Sequence, residues 1–257
     1  MYTPFQITFL GTGTSSGVPM IGCNCAVCTS RNDKDKRLRS SILIQHNGIN
    51  IVIDTTPDFR YQMLRTNTQH LDAILFTHPH KDHIAGLDDV RAYNYFSNKA
   101  MPIYANELTM KGIKHDFHYA FSDKRYPGIP QFELHAISQN FFSVAGISIQ
   151  PILVWHMLMP VFGFRIGDFT YITDANRIDD AEKEKIKGSK ILVLNALRKE
   201  PHISHFTLQE AVDLSIELKA EQVLLTHISH QLGLHKEINA ELPPHIQLAY
   251  DGQILTL

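Results

Sequence analysis

The apolar positions of this chain fall in short runs, each closed by glycine, proline or a polar cluster, and the pattern predicts alternating strands and helices. Gln6 to Leu10 reads as a strand, followed by the backbone-dominated loop Gly11-Thr12-Gly13-Thr14-Ser15-Ser16-Gly17. Ser41 to Gln45 and Ile49 to Asp54 flank Asn47-Gly48, a strong hairpin signal. A helix is expected around Tyr61 to Leu64, a buried strand over Leu71 to Phe76, one helix over Ile84 to Phe96, and a short strand at Met101 to Ala105. Lys111 to Pro130, with Phe117, His118, Tyr119, Phe121, Arg125 and Tyr126, has the least pattern and is expected to be an insertion or lid that decides specificity. Gly146 to Val154 is a strand ending at Trp155-His156. Val161 to Ile166 and Phe169 to Thr173 pair around Gly167-Asp168, and Lys190 to Leu194 and Gln222 to Leu225 are further strands. Thr207-Leu208-Gln209-Glu210 is a capping box opening a helix to about Leu218. Asp251-Gly252 is expected to turn a last hairpin. With no repeat, linker or low-complexity tract, residues 1–257 are expected to form one α/β domain.

The chemistry concentrates at Thr77-His78-Pro79-His80-Lys81-Asp82-His83, where three imidazoles and a carboxylate occupy one strand-to-helix corner. His156, Asp174 and His227 each follow a predicted strand within two residues. Strand ends of α/β sheets converge on ligand sites, so these residues are expected to join the corner. Neutral imidazoles bind borderline cations such as zinc and manganese, and a carboxylate can bridge two of them. Such pairs clamp attacking and leaving oxygens and lower the pKa of bound water toward neutrality, which makes hydroxide available.

Composition adds four points. Fifteen histidines stand out in a chain of otherwise ordinary balance, 44% hydrophobic and 19% charged. The formal net charge of −2 and the lack of a long basic arm speak against a nucleic-acid partner. No apolar run is long enough to span a bilayer, and Met1-Tyr2-Thr3-Pro4-Phe5 does not read as a secretory signal, so the cytoplasm is the expected compartment. The only cysteines, Cys23, Cys25 and Cys28, are too crowded and too few for a disulfide framework. With one histidine they would make a closed tetrahedral zinc site, a redox pair at Cys25 and Cys28 being the rival.

The constellation resembles the metallo-β-lactamase fold of binuclear hydrolases, and its order along the chain matches from Phe9 to Ser229. The resemblance implies a four-layer αββα sandwich. It puts His78, His80 and His156 on one cation, Asp82, His83 and His227 on a second, and Asp174 between them. Gly22-Cys23-Asn24-Cys25-Ala26-Val27-Cys28 with His230 is similar to the structural zinc site of one branch, that of the phosphoribosyl cyclic phosphodiesterase of phosphonate breakdown; His235 is the alternative fourth ligand. Pro201 to Thr207 resembles the His-x-Thr segment of that branch and of the tRNA 3′-processing endonucleases. This gives His205 a role at the phosphate or in protonating the leaving oxygen. Ile53 to Arg60 and Gly11-Thr12-Gly13 also resemble that branch, with Asp54 either orienting a ligand histidine or forming a turn. Asp82 would both bind metal and hold the attacking water.

The implied activity is hydrolysis of a small or cyclic phosphodiester with two catalytic zinc or manganese ions and one structural zinc. A homodimer is expected from the resemblance alone. The same fold acting on a thioester, lactone or lactam, or as a tRNA-processing nuclease, is the enzymatic alternative; a non-catalytic metal-binding protein is another. The apolar stretch Met157-Leu158-Met159-Pro160 after His156 sits oddly beside a phosphate.

Overall fold

The apolar runs become the strands of two seven-stranded sheets, described by a computed structural model that covers residues 5–122 and 128–257. The chain packs as two compact units. The first takes in the described parts of Met1–Leu10, Ser41–Ser138 and Ile254–Leu257. Its sheet holds β1 (Gln6–Gly11), β2 (Ser41–His46), β3 (Ile49–Ile53), β4 (Ala73–Leu75), β5 (Met101–Ala105), β6 (Phe132–Ala136) and β14 (Ile254–Thr256), in the order β14-β1-β2-β3-β4-β5-β6. The hairpin β2–β3 turns on Asn47 and Gly48, both at positive φ (51° and 79°), as a tight two-residue turn requires. From β3 to β6 the strands run parallel. Helices α1 (Phe59–Arg65), α2 (Lys81–Ile84) and α4 (Glu107–Asp116) bury Phe59, Met63, Ile84 and Ile113 in one cluster with Val52, Ile74 and Ile103 of the sheet, and α3 (Arg91–Ser97) packs Tyr93 against it.

Two expectations for this unit change. Ile84 to Phe96 is not one helix, because a 3₁₀ segment, Ala85–Val90, separates α2 from α3. Gly86 explains the break: its amide donates to the Thr55 carbonyl (2.9 Å), and a Cβ there would lie 2.0 Å from the Thr56 oxygen. Nor is Lys111 to Pro130 unpatterned. Lys111 to Asp116 completes α4, whose N-terminus Asn106 caps by accepting from the Thr109 amide (2.8 Å). Phe117 and Ala120 then join the same core cluster. Arg125 and Tyr126 lie outside the described residues.

The second unit is Gly11–Ser40 with Gln139–Gln253. Its sheet holds β7 (Phe142–Val144), β8 (Ile147–His156), β9 (Met159–Ile166), β10 (Phe169–Tyr171), β11 (Ile191–Asn195), β12 (Gln222–Thr226) and β13 (Ile246–Leu248), in the order β13-β12-β11-β10-β9-β8-β7. Strands β10 to β13 are parallel and β7 to β10 antiparallel. Helices α5 (Asp180–Ile186), α6 (Leu208–Leu218) and α7 (His235–Glu241) bury Ile186, Ala211, Leu214 and Ile238 against Leu192, Leu194, Val223 and Leu225. Asp251-Gly252 does turn the chain, but β13 and β14 belong to different sheets, so it is not a hairpin. β13 pairs parallel with β12 and β14 antiparallel with β1. Among the described residues no helix is long and apolar enough to cross a membrane.

The loop after β1 is tied down by a buried cation. Arg37 donates to the Thr12 hydroxyl (2.7 Å) and the Ala249 carbonyl (2.6 Å), and its Nη2 lies 3.1 Å from His235 Nδ1. A guanidinium only donates, so His235 Nδ1 accepts there. Asp35 accepts from the His235 amide (2.7 Å), and Asp251 accepts from the Thr12 hydroxyl (2.8 Å).

Two measurements probe these features. Thr207 and Glu210 form the reciprocal cap of α6, so Thr207→Ala should cost about 1 kcal/mol in urea denaturation. Burial, with Arg37 beside it, lowers His235 to about 4, against about 6.5 in an unfolded chain. Between those values the unfolded chain takes up a proton that the folded one refuses. This part of the stability is therefore present above about pH 6.5 and lost as pH falls toward about 4. His235→Gln should flatten that loss, read from denaturation midpoints at about pH 7 and about pH 5.

Candidate functional site

In the first unit a cluster of candidate ligands forms where β3 and β4 end side by side. Asp54 follows β3 at φ 67° and is fully buried. Its carboxylate accepts from the Thr77 amide (2.9 Å), the Thr77 hydroxyl (2.8 Å) and His83 Nδ1 (2.7 Å). Burial pushes the Asp54 carboxyl up, opposed by His83 and Thr77. The single proton of the Thr77 hydroxyl goes to Asp54. His78 Nδ1, 2.9 Å from the same oxygen, must therefore be the donor to it. Both buried imidazoles are thus held on their Nδ1 side, which makes Nε2 the donor atom available to a cation. Pro79 delays the helix, leaving His80 extended (φ −65°, ψ 150°) as the N-cap residue before α2, with Asp82 and His83 in its first turn. The ligand atoms of His78 and His80 come within 4.8 Å of each other, and His83 Nε2 lies 3.3 Å from the Asp82 carboxylate.

In the second unit three strand ends deliver one residue each. His156 closes β8, and its Nδ1 donates to the Ser204 carbonyl (2.8 Å), which again turns Nε2 outward. Asp174 follows β10 at φ 55°, with the Thr173 hydroxyl donating to its Oδ1 (2.7 Å). Asn195, at the end of β11, grips the Ala175 amide and carbonyl (both 2.9 Å) and so fixes the turn that presents Asp174. His227 follows β12 at φ 56°, with Nδ1 2.9 Å from Asp174 Oδ1 and Nε2 3.1 Å from the Thr14 hydroxyl. Asp54, Asp174 and His227 therefore share the left-handed conformation, one that costs a non-glycine residue about 1–3 kcal/mol and recurs at functional sites.

His205 lies among these groups. Its ring centroid is 4.6 Å from that of His156 and 4.9 Å from that of His227. One ligand atom each of His156, Asp174 and His205 fall within 4.8 Å of one another. Its Nδ1 is buried with no hydrogen-bond partner among the described residues. Burial, then His227, lowers His205 to about 3, so the ring is neutral at physiological pH. His202, exposed at the loop tip, turns its Nδ1 back to the Ser204 hydroxyl (3.2 Å).

A second donor set stands apart from these histidines. Cys23, Cys25, Cys28 and His230 bring their ligand atoms within 4.8 Å of one another. His230 Nδ1 is 3.5 Å from Cys23 Sγ and 3.4 Å from Cys25 Sγ. Zinc bonds of about 2.3 Å to sulfur and about 2.0 Å to nitrogen at a tetrahedral angle put these atoms about 3.5 Å apart. The set fits zinc. Cys25 is lowered to about 6 by the Cys28 amide and His230, whereas burial pushes Cys28 up to about 11. His235, the alternative ligand, is instead bound to Arg37.

Sequence reading missed Thr77, Thr14, Ser204 and Asn195. Thr77 stood inside the motif, and Asn195 showed as a polar residue ending the run Ile191 to Leu194. Ser204 acts through its carbonyl, which no side-chain pattern reveals. A separate apolar hollow of about 370 Å³ in the first unit, lined by Phe59, Met63, Leu64, Tyr93 and Phe96, contains none of the metal-ligand candidates.

The chain is similar to several known proteins. Residues 49–228 match the model of the beta-lactamase superfamily domain. A solved diphosphatase from the PhnP family is 43% identical with a TM-score of 0.94, covering 100% of this chain and 98% of that one. An octanoyltransferase of Porphyromonas gingivalis is 39% identical over 246 residues, 95% of this chain and 50% of that protein. The chain thus spans about half the length of this curated relative. Zinc-bound PqqB from Methylobacterium extorquens shares the fold at 18% identity, with a TM-score of 0.80 over 98% of this chain and 100% of that one. The fold implies divalent-metal binding, and the donor sets above suit it. The chain belongs to the beta-lactamase superfamily of metallo-β-lactamase-fold hydrolases, in its PhnP branch.

Proposed function

We propose that this chain is a metal-dependent phosphodiesterase acting on a small or cyclic phosphodiester. His78, His80, His156, Asp82, His83, His227 and Asp174 would hold its catalytic cations, and Cys23, Cys25, Cys28 and His230 a structural zinc. The observation that carries the phosphorus–oxygen reading is the full-length likeness to a diphosphatase at 43% identity. The anchored Nδ1 atoms of His78, His83 and His156 support the metal reading, because an imidazole ligand needs its second nitrogen fixed.

Divalent cations held there would supply Lewis acidity and neutralise charge at a phosphoryl group. The chain's own groups do the rest. Asp82 accepts a hydrogen bond from the attacking water and orients it. His205 rests neutral in its buried position, and a phosphodiester anion arriving beside it favours the imidazolium. The partnerless Nδ1 then has a substrate oxygen to meet, and the ring gives its proton to the departing oxygen.

A second reading, hydrolysis of an acyl ester or thioester, is favoured by the relative named octanoyltransferase, half of whose length this chain matches. Turnover of an octanoyl thioester in preference to bis-p-nitrophenyl phosphate would select it.

Elemental analysis of purified protein should find about three divalent ions per chain, with turnover of bis-p-nitrophenyl phosphate. One zinc and no turnover after manganese is added would leave the cysteine site and sink the phosphodiesterase. Asp54→Asn should weaken catalytic-metal affinity by roughly 10–100-fold in titration calorimetry while leaving zinc at the cysteine site. His205→Gln should cost about 10²–10⁴-fold with an alkoxide leaving group and far less with p-nitrophenolate, which leaves without a proton. Equal losses on both would remove the acid role.

A further inference from the structure

The tips of the two loops that carry His156 and His205 are apolar and bare. Met157 is 47% exposed, Leu158 86% and Ile203 73%. Isolated exposed apolar residues are ordinary, but these are neither isolated nor placed where folding favours them. His156 pairs with Met159 across the β8–β9 hairpin, so Met157-Leu158 is a two-residue turn, with Met157 at φ 56°. Such turns favour Asn, Asp and Gly. Two large apolar side chains there break the local rule without filling the core.

One side chain ties the two tips together. Asn176 accepts from the Met157 amide (2.9 Å) and donates to the Ile203 carbonyl (3.0 Å). The apolar surface is therefore held at a fixed place. His156 immediately precedes it on one loop, while on the other Ser204, which anchors His156, and the buried His205 immediately follow. Binding sites commonly pair a few placed polar groups with an apolar wall. The sequence Met157-Leu158-Met159-Pro160, unexpected beside a phosphate, fits such a wall.

We propose that Met157, Leu158 and Ile203 form the rim against which the non-leaving substituent of the substrate packs, so that the chain selects diesters bearing an apolar, aryl-sized group. This rests on the phosphodiesterase reading and names its substrate class. Asn176 is a positioning residue that keeps the two halves of the rim in register.

The test compares phenyl p-nitrophenyl phosphate with methyl p-nitrophenyl phosphate, which share a leaving group and differ only in the packed substituent. The metal-loaded wild type should prefer the phenyl diester by about tenfold in kcat/KM, a difference of about 1.4 kcal/mol. The preference should fall severalfold in Leu158→Ser, Ile203→Ser and the double variant, and persist in Phe96→Ser, an exposed apolar change in the other unit. Binding supplies an independent readout, because the single tryptophan, Trp155, lies two residues from Met157. Titration of its fluorescence should show phenylphosphonate bound about tenfold more tightly than methylphosphonate, with the same loss in the variants. Phenyl preference in binding with no turnover of either diester would support the rim and sink the phosphodiesterase. Wild-type ratios near one, or a preference that survives the double variant, would overturn the rim. So would variants that change only the assembly state in sedimentation, which would make the tips a subunit contact.

Discussion

A buried imidazole offers two nitrogens, and only the one left over by its other hydrogen bond can serve chemistry. The candidate ligand clusters of each unit depend on how those other bonds are made. Asp54 receives His83 directly and His78 through the Thr77 hydroxyl, so one buried carboxylate sets two tautomers at once. The Ser204 carbonyl sets that of His156. Burying Asp54 is costly, and three donors offset that cost within the same few residues. Loss of one donor would leave a buried charge short of partners, which makes the arrangement all-or-none rather than graded.

The sheets supply the positions. Strands β3 and β4 are parallel neighbours, so Asp54 and Thr77 leave the same edge together and meet without any long-range search. Strands β10, β11 and β12 are parallel as well, and their ends carry Asp174, Asn195 and His227 in lateral order. Fully buried strands need apolar side chains on both faces, which leaves their ends as the place where polar groups can gather. Asp54, Asp174 and His227 all take positive φ at those ends. The turn out of each strand is bent sharply, and the surrounding hydrogen bonds hold it there.

Much of this is legible in the sequence alone. The hairpin at Asn47-Gly48, the capping box at Thr207 and most strands follow from turn chemistry and periodicity, which act over a few residues. The donors at residues 78–83 stand out because four candidate ligands in six positions have no ordinary structural explanation. What sequence hid was tertiary. The break at Gly86 depends on the Thr55 carbonyl thirty-one residues earlier. Helix α4 is obscured because its buried face, Thr109, Met110 and Ile113, is short and most of its other positions are charged or polar. The choice between His230 and His235 turned on Arg37, remote from both in sequence, which claims His235.

Burial gives His205 an unusual standing among the histidines. A ring on the surface would titrate near neutrality and trade protons with water at any time. This one is desolvated, faces His227 and His156, and is held neutral. Protonation there requires a compensating negative charge at close range, and neighbouring cations would oppose it further. A phosphodiester supplies that charge only when bound. In the proposed phosphodiesterase the proton would thus be taken up in the complex rather than carried by the resting protein, which would couple acid function to substrate occupancy. The same desolvation would serve a neutral acyl substrate poorly, because no anion would arrive to stabilise the imidazolium. On electrostatic grounds the position of His205 therefore favours an anionic substrate over a neutral one.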